Sequence, residues 1–248
     1  MPLAASAIIT LATQIAKCPG FTSQAGNLLN MVLSDLCQDY DLELARGYLN
    51  FSFNSAAGNA QGPYTLPADF LRANRNSVVY TIQGVKYTLI GLEYDEYLQL
   101  VQQAGLAAYP ENYAVDRSPL QTQGAPVMYV WPPAAGSYPV TGPYQRQMPD
   151  LTAAQLTDGV TVPWFNSQNY LITRLAGELM KITNDDRVEK FLGNSMDKNG
   201  APFGAAAILE KYLESAEDAG DVVHTVTLDR RRFGQNFNRL PNTKQIGW

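Results

Sequence analysis

The stretch from Tyr109 to Asp150 cannot be helical. Prolines recur from Pro110 to Pro149, Pro132 and Pro133 back to back, and no apolar residue returns at helical spacing. Proline has no backbone N–H and clashes with the preceding helical turn; in sheets it is confined to edges, strand starts and bulges. Three short β-rich runs lie among these prolines: Tyr113–Val115, Val127–Trp131 and Tyr138–Gln145. They predict the edge strands of a small antiparallel layer with Pro-Pro and Gly-Pro turns. Any fold of this chain must therefore hold a β layer in its middle.

Helical patterns flank that layer. Ala4, Ile8, Leu11, Ala12 and Ile15 recur at helical spacing, predicting a helix over 4–17 that Pro19-Gly20 ends. Ser23 caps a second helix over 23–45, with Ala25, Leu28, Leu29, Val32, Leu33, Leu36 and Tyr40 in one apolar stripe. The two pack as a helical hairpin. Later, Tyr170, Leu171, Leu175, Leu179 and Ile182 share a face of a helix over 165–183, starting near Asn166 or Ser167. Asn184-Asp185-Asp186 bends it, and Val188–Leu192 continues it. Ile208, Leu209, Tyr212 and Leu213 mark a last helix over 203–218, and Val222–Leu228 reads as β-like.

Between the first helices and the Pro-rich stretch lies a loop of small and polar residues over 54–65. Pro67 forces Leu66 into an extended conformation, and Ala68–Leu71 predicts a short turn of helix. Ser77–Ile82 and Val85–Ile90 flank Gln83-Gly84, a two-residue hairpin signal. A helix over 93–104 follows, ended by Gly105. The fold class is thus α+β: a helical bundle with an antiparallel hairpin (77–90) and a Pro-rich β layer (112–146) inserted. Residues 1–227 form one domain and 228–248 an extended arm.

That arm, LDRRRFGQNFNRLPNTKQIGW, differs in chemistry from the rest. Arg230, Arg231, Arg232, Arg239 and Lys244 stand against Asp229 alone, a net charge of +4. The whole chain is −5, so residues 1–227 carry −9. An acidic body with a basic, aromatic arm points to docking on a partner, with the arm ordering on binding. Arg and aromatic side chains are the usual interface anchors, so Arg230, Arg231, Arg232, Phe233, Phe237, Arg239 and Trp248 are the candidate partner-binding residues. Charged residues make up only 17% of the chain, against about 25% in typical domains. Its 14 tyrosines add a surface that loses little on desolvation.

Catalytic constellations are missing. The lone histidine, His224, has no GxSxG elbow to serve. Cys18 and Cys37 lie 19 residues apart and form neither a zinc pattern nor a disulfide framework, which leaves a reducing compartment as the expectation. No GxxxxGK[ST] or GxGxxG loop cradles phosphate. Glu93, Asp95 and Glu96 read as helix-terminal charges, and Asp185 and Asp186 as a turn. No cofactor and no metal are expected. The N-terminus lacks a basic leader, and Gln14 and Lys17 interrupt its apolar run, so it reads as an amphipathic helix rather than a signal peptide. No run reaches the roughly 18–20 apolar residues of a membrane span.

The order of these parts resembles one family. PYTLPADFLRANR (63–75) is similar to an LPxDF segment that follows a helical pair and leads into a hairpin. SVVYTIQGVKYTLIGL (77–92) fills the hairpin place, and EYDEYLQL (93–100) the helix after it. APVMYVWPPAAGSYPVTGPYQRQMPDLT (125–152) and WFNSQNYLITRLAGELMKITNDDR (164–187) resemble the strand–proline turn–strand and long-helix segments. Together they resemble the head-to-tail adaptor (connector) proteins of tailed bacteriophages, including the tail tubular protein A type of short-tailed phages.

The resemblance covers about 60–220 and carries no catalytic motif. It implies a structural protein, made in the host cytoplasm and built into the virion. It further implies a homo-oligomeric ring, typically of twelve copies, between the portal protein and the tail nozzle or tube. DNA passes through such a ring without specific binding. A tail, baseplate or gatekeeper component, a tail-associated hydrolase using Asp185, Asp186 or Glu93, and a DNA-packaging accessory are the alternatives left open.

Overall fold

A computed structural model of the chain describes residues 2–54, 60–73, 76–102, 108–117, 124–198, 200–218 and 224–225. It opens with α1 (Ala5–Ile15) and α2 (Thr22–Asp39), then β1 (Tyr40–Asp41), a 3-10 turn (Glu43–Ala45), β2 (Arg46–Ser52), β3 (Tyr64–Thr65) and β4 (Phe70–Ala73). There follow β5 (Val79–Ile82), β6 (Val85–Thr88), β7 (Ile90–Leu92), α3 (Tyr94–Val101), β8 (Asn112–Asp116), β9 (Val127–Trp131) and β10 (Pro139–Arg146). The last elements are α4 (Gln168–Ile182), α5 (Val188–Leu192), α6 (Ala205–Asp218) and β11 (His224–Thr225). The class is α+β, as the sequence predicts.

The helices before and after the β region meet in one aliphatic core. Ile8 and Ala12 of α1, Leu29 and Leu36 of α2, and Leu171, Leu175 and Leu179 of α4 are fully buried in it. α4 is the central helix, touching α1, α2, α5 and α6. Both α1 and α4 end in a left-handed residue, Lys17 (φ 56°) and Asn184 (φ 53°). The next N–H then reaches back to close the last turn: Cys18 N–H to Thr13 O at 2.9 Å, Asp185 N–H to Met180 O at 2.9 Å. Pro19 enforces the first stop, and the side chain of Asp185 helps to turn the chain into α5.

Two sheets enclose a second, aromatic core. One has the order β2-β10-β5-β6, with β4 also pairing β10; the other runs β3-β9-β8-β7. Leu49, Phe53, Phe70, Tyr80, Val140 and Tyr144 on one side meet Tyr64, Tyr113, Met128 and Val130 on the other. The alternation of β8 and β9 sends Ala114 and Trp131 to the outer face, where Tyr97 of α3 covers them. The hairpin turn is as predicted: Gln83 (φ 48°) and Gly84 (φ 85°) link Ile82 to its partner Val85.

Five expectations are corrected. α2 begins at Thr22 with Phe21 at its N-cap position, so Ser23 lies inside the helix and does not cap it. α2 stops at Asp39 instead of running to residue 45, because Tyr40-Asp41 is extended and pairs with β11. The following segment is strand β2, whose alternation buries Leu49 and exposes Tyr48. Ala68–Leu71 is not a turn of helix: Phe70 begins β4, paired with Arg146. The inserted layer is not wholly antiparallel, since β7 and β8 run parallel, joined through α3. Nor are the Pro-rich strands edges: β8 and β9 lie inside the order β3-β9-β8-β7, and neither is β10 an edge. It is the hub of its sheet, paired with β2 along one side and with β5 and then β4 along the other.

Pro143 is tolerated there because it falls in the gap between the β5 pairing (140–141) and the β4 pairing (144–146), so no ladder donor is lost. Gly142 beside it is required by close approach. A Cβ at that position would lie 2.9 Å from both Ser77 O and Val78 Cα. Gly105, residues 55–59 of the small-residue loop, most of Val222–Leu228 and the whole arm lie outside the described residues.

Candidate assembly surface

The LPADFLR segment, read above as a mark of resemblance and as a short turn of helix, is the bracket between the helical and β parts. Asp69 accepts from Tyr144 Oη at 2.9 Å and from Arg146 Nε at 2.6 Å, pinning the start of β4 to the end of β10. Phe70 stacks on Tyr144 with ring centroids 5.3 Å apart. Arg72 then reaches across to α2. Its guanidinium donates to Cys37 O, Gln38 O and Tyr40 O at 3.0–3.1 Å and, through Nε, to Asp41 Oδ1 at 2.7 Å. One cation thus satisfies carbonyls left open at the helix C-terminus, where positive charge is favoured. The side chains of Arg72 and Asp41 are only 15% and 13% exposed, so this pair is shielded from solvent screening.

The segment after β10 continues the attachment along α2. Gln147 Nε2 donates to Ser34 Oγ at 3.0 Å, and Asn30 exchanges two hydrogen bonds with the backbone of Leu151 at 2.9 and 3.0 Å. Burial pushes the Tyr144 phenol up to about 12, and its hydrogen bond to anionic Asp69 acts in the same direction.

A groove of about 460 Å³ opens on the helical part between α2, α4 and α6. Leu36, Leu209 and Leu213 floor it; Asp35 and Asp39 of α2 and Glu210 and Glu214 of α6 line its rim. Arg174 is the cation in this lining, and its charge is committed to Glu178 of its own helix, 3.0 Å away. Burial raises the Asp35 carboxyl above the ordinary aspartate range, and the nearby Asp39 and Glu178 carboxylates add to that, with Arg174 opposing. Tyr40 lines the groove too, and it pairs in β1 with Thr225. Thr225, the last residue of β11, is therefore paired to a residue that lines the groove.

The acidic residues considered for catalysis have structural roles. Glu93 and Glu96 form a capping box at the start of α3, with Glu93 N–H donating to Glu96 Oε2 at 3.3 Å. Asp185 is held by the Arg187 guanidinium at 2.7 Å and by its backbone N–H at 2.9 Å, which lowers its carboxyl to about 2. Asp186 is exposed on the same turn. His224 lies in β11 opposite Asp41. Cys18 and Cys37 are free and buried, and burial raises both thiols. Among the described residues no three His, Cys, Asp or Glu side chains gather as metal ligands, and no helix is long and apolar enough to cross a membrane.

The structure brings none of the predicted site residues together: Arg230, Arg231, Arg232, Phe233, Phe237, Arg239 and Trp248 all lie outside the described residues. Sequence reasoning missed the groove and the role of Arg72. Arg72 stood inside a quoted motif, but its partners lie 31 to 35 positions away, which no local pattern reveals. A model of a known protein family, described as SU10 adaptor protein, matches residues 4–224. The match spans α1 through the first residue of β11 and stops short of the basic arm. No curated protein matches the chain.

Proposed function

The chain belongs to the SU10 adaptor protein family, a phage adaptor family, and from that premise we propose that it is the structural head-to-tail adaptor of a tailed phage. As an adaptor it is a virion component that works with other head and tail proteins. The finer reading is a ring, of twelve copies, seated between portal and tail nozzle or tube and continuing the DNA channel. The protein is not an enzyme in this reading. The observation that carries it is a family match running through both the helical and the β parts. The bracketed junction supports it, since a subunit that transmits load between head and tail must hold its two parts in one geometry. The −9 charge of residues 1–227 suits a conduit, because an acidic wall repels DNA rather than gripping it. The finer likeness to the tail tubular protein A type rests on motif order alone.

Within this reading the arm docks on the portal. Arg230–Arg232 and Arg239 pair with acidic groups there, and Phe233, Phe237 and Trp248 fill apolar pockets. Electron microscopy of the protein mixed with its phage's portal ring tests the adaptor role. A new cyclic layer stacked on the portal is expected, and counting its subunits tests the twelvefold ring. A bare portal, with the protein bound to tail components instead, would overturn it. Deleting 228–248 should abolish attachment to the portal; unchanged attachment would remove the docking role from the arm.

A further inference from the structure

We propose that the groove between α2, α4 and α6 is the seat of the chain's own basic segment, Arg230–Phe233, before any partner competes for it. Three observations converge. The first is the course of the backbone. β11 pairs antiparallel with β1, Thr225 opposite Tyr40 and His224 opposite Asp41, so β11 runs toward the Asp39 end of α2. Arg230 to Arg232 follow five to seven residues later, a reach of roughly 17–23 Å in extended chain, ample for Asp35 and for the facing rim on α6.

The second observation is charge. Asp35, Asp39, Glu210 and Glu214 make no ion pair among the described residues, and the lining cation, Arg174, is bound to Glu178. Three consecutive guanidiniums supply the missing positive charge, each able to bridge carboxylates in a bidentate manner. The third is shape. The floor of Leu36, Leu209 and Leu213 is apolar and open, a fit for the Phe233 ring that follows the arginines. The acid-lined groove and the basic segment are thus complementary parts of one chain, joined by a two-residue strand pair that delivers one to the other. This inference stands apart from the portal-docking role of the arm: it names where the arginines sit when no portal is present.

Disulfide trapping in the full-length chain tests it. Ala206 lines the groove and is exposed, so Ala206→Cys with Gly234→Cys places one thiol in the groove and one beside the segment, with the Phe233 ring kept. Cys18→Ser and Cys37→Ala remove the background, and retention of the helical circular dichroism checks the fold. The expected result is an intrachain disulfide whose yield falls about tenfold when Glu210→Gln and Glu214→Gln are added, and falls similarly at about 1 M salt. Both glutamates are exposed, so their neutralisation leaves the core intact. Absence of the disulfide, a yield indifferent to the two substitutions, or a disulfide formed between chains would each overturn the proposal. Portal co-sedimentation of the chain lacking 228–248 is read separately. Lost attachment there together with no intrachain disulfide would leave portal docking standing and remove the groove.

Discussion

The helical part and the β part reach stability by opposite routes. The first has an aliphatic core assembled from stripes along single helices, so most of its information is local: Ile8 and Ala12 on α1, Leu29 and Leu36 on α2, Leu171 and Leu175 on α4. The second has an aromatic core whose strands come from distant positions, with Leu49 of β2 facing Gly142 of β10 across the ladder. Rings there touch in a chain, Phe51, Phe53, Tyr64, Tyr80 and Tyr138, which the exposed Tyr87 and Tyr109 carry on to the surface; each lies within 6.5 Å of another, centroid to centroid. The difference teaches that one part can adjust residue by residue, whereas the other holds only if its register is complete. Arg72 and Asp69 tie the two together.

Cutting that tie breaks the comparison most severely. Arg72→Ala leaves Asp41 and three carbonyls without their cation, an expected loss of about 3–5 kcal/mol. In urea, wild type should unfold in one transition by both helical circular dichroism and tyrosine fluorescence, and the variant in two. Coincident transitions in the variant, with a loss below about 1 kcal/mol, would refute the bracket.

Tyr144→Phe makes a smaller cut on the β side. It removes the hydroxyl from Asp69 but leaves Arg146 in place, for a loss of about 1–3 kcal/mol. The tyrosine pKa lies near 10 unfolded and about 12 folded, so its stabilising contribution is complete below pH 10 and is lost as pH rises toward 12. The variant has no such loss, so its deficit against wild type should narrow across that window in denaturant titrations.

On the helical side, Ile8→Val should cost about 0.5–1.5 kcal/mol and leave the transition single. A split transition from so local a change would show that the helical part is as register-dependent as the sheets. The smallest effect belongs to Asp185→Asn. The folded carboxyl titrates at about 2 and the unfolded one near 3.9, so its contribution is present above pH 4 and disappears as pH falls through 2. The variant's thermal midpoint should be slightly lower at neutral pH and decline less between pH 4 and 2.

The same contrast explains what the sequence revealed. Five long helices were legible because 3.6-residue periodicity is written inside each one, and the hairpin because Gln83-Gly84 permits only a tight turn. β2 was hidden because Leu42 and Ala45 continue the apolar spacing of α2 past its true end at Asp39. The role of β10 was hidden for a different reason. Its prolines mark an edge unless the neighbouring strands part at Pro143, and nothing near Pro143 says that they do. The candidate site fared worst. The arm's charge was plain, but the acids of the groove come from α2 and α6, some 170 residues apart, and read as ordinary solvated helix faces.

The hub position of β10 also has a consequence in time. β2, β4 and β5 all pair with β10, yet all three leave the ribosome before it. Between the synthesis of Ser52 and of Pro139 lie roughly 5–15 seconds at ordinary translation rates, during which Leu49 and Phe53 have no cover and β2 no partner. A strand waiting in that state is open to pairing with other nascent chains. The β part is thus built by a late keystone, and a chain cut before Pro139 keeps three strands without their common partner.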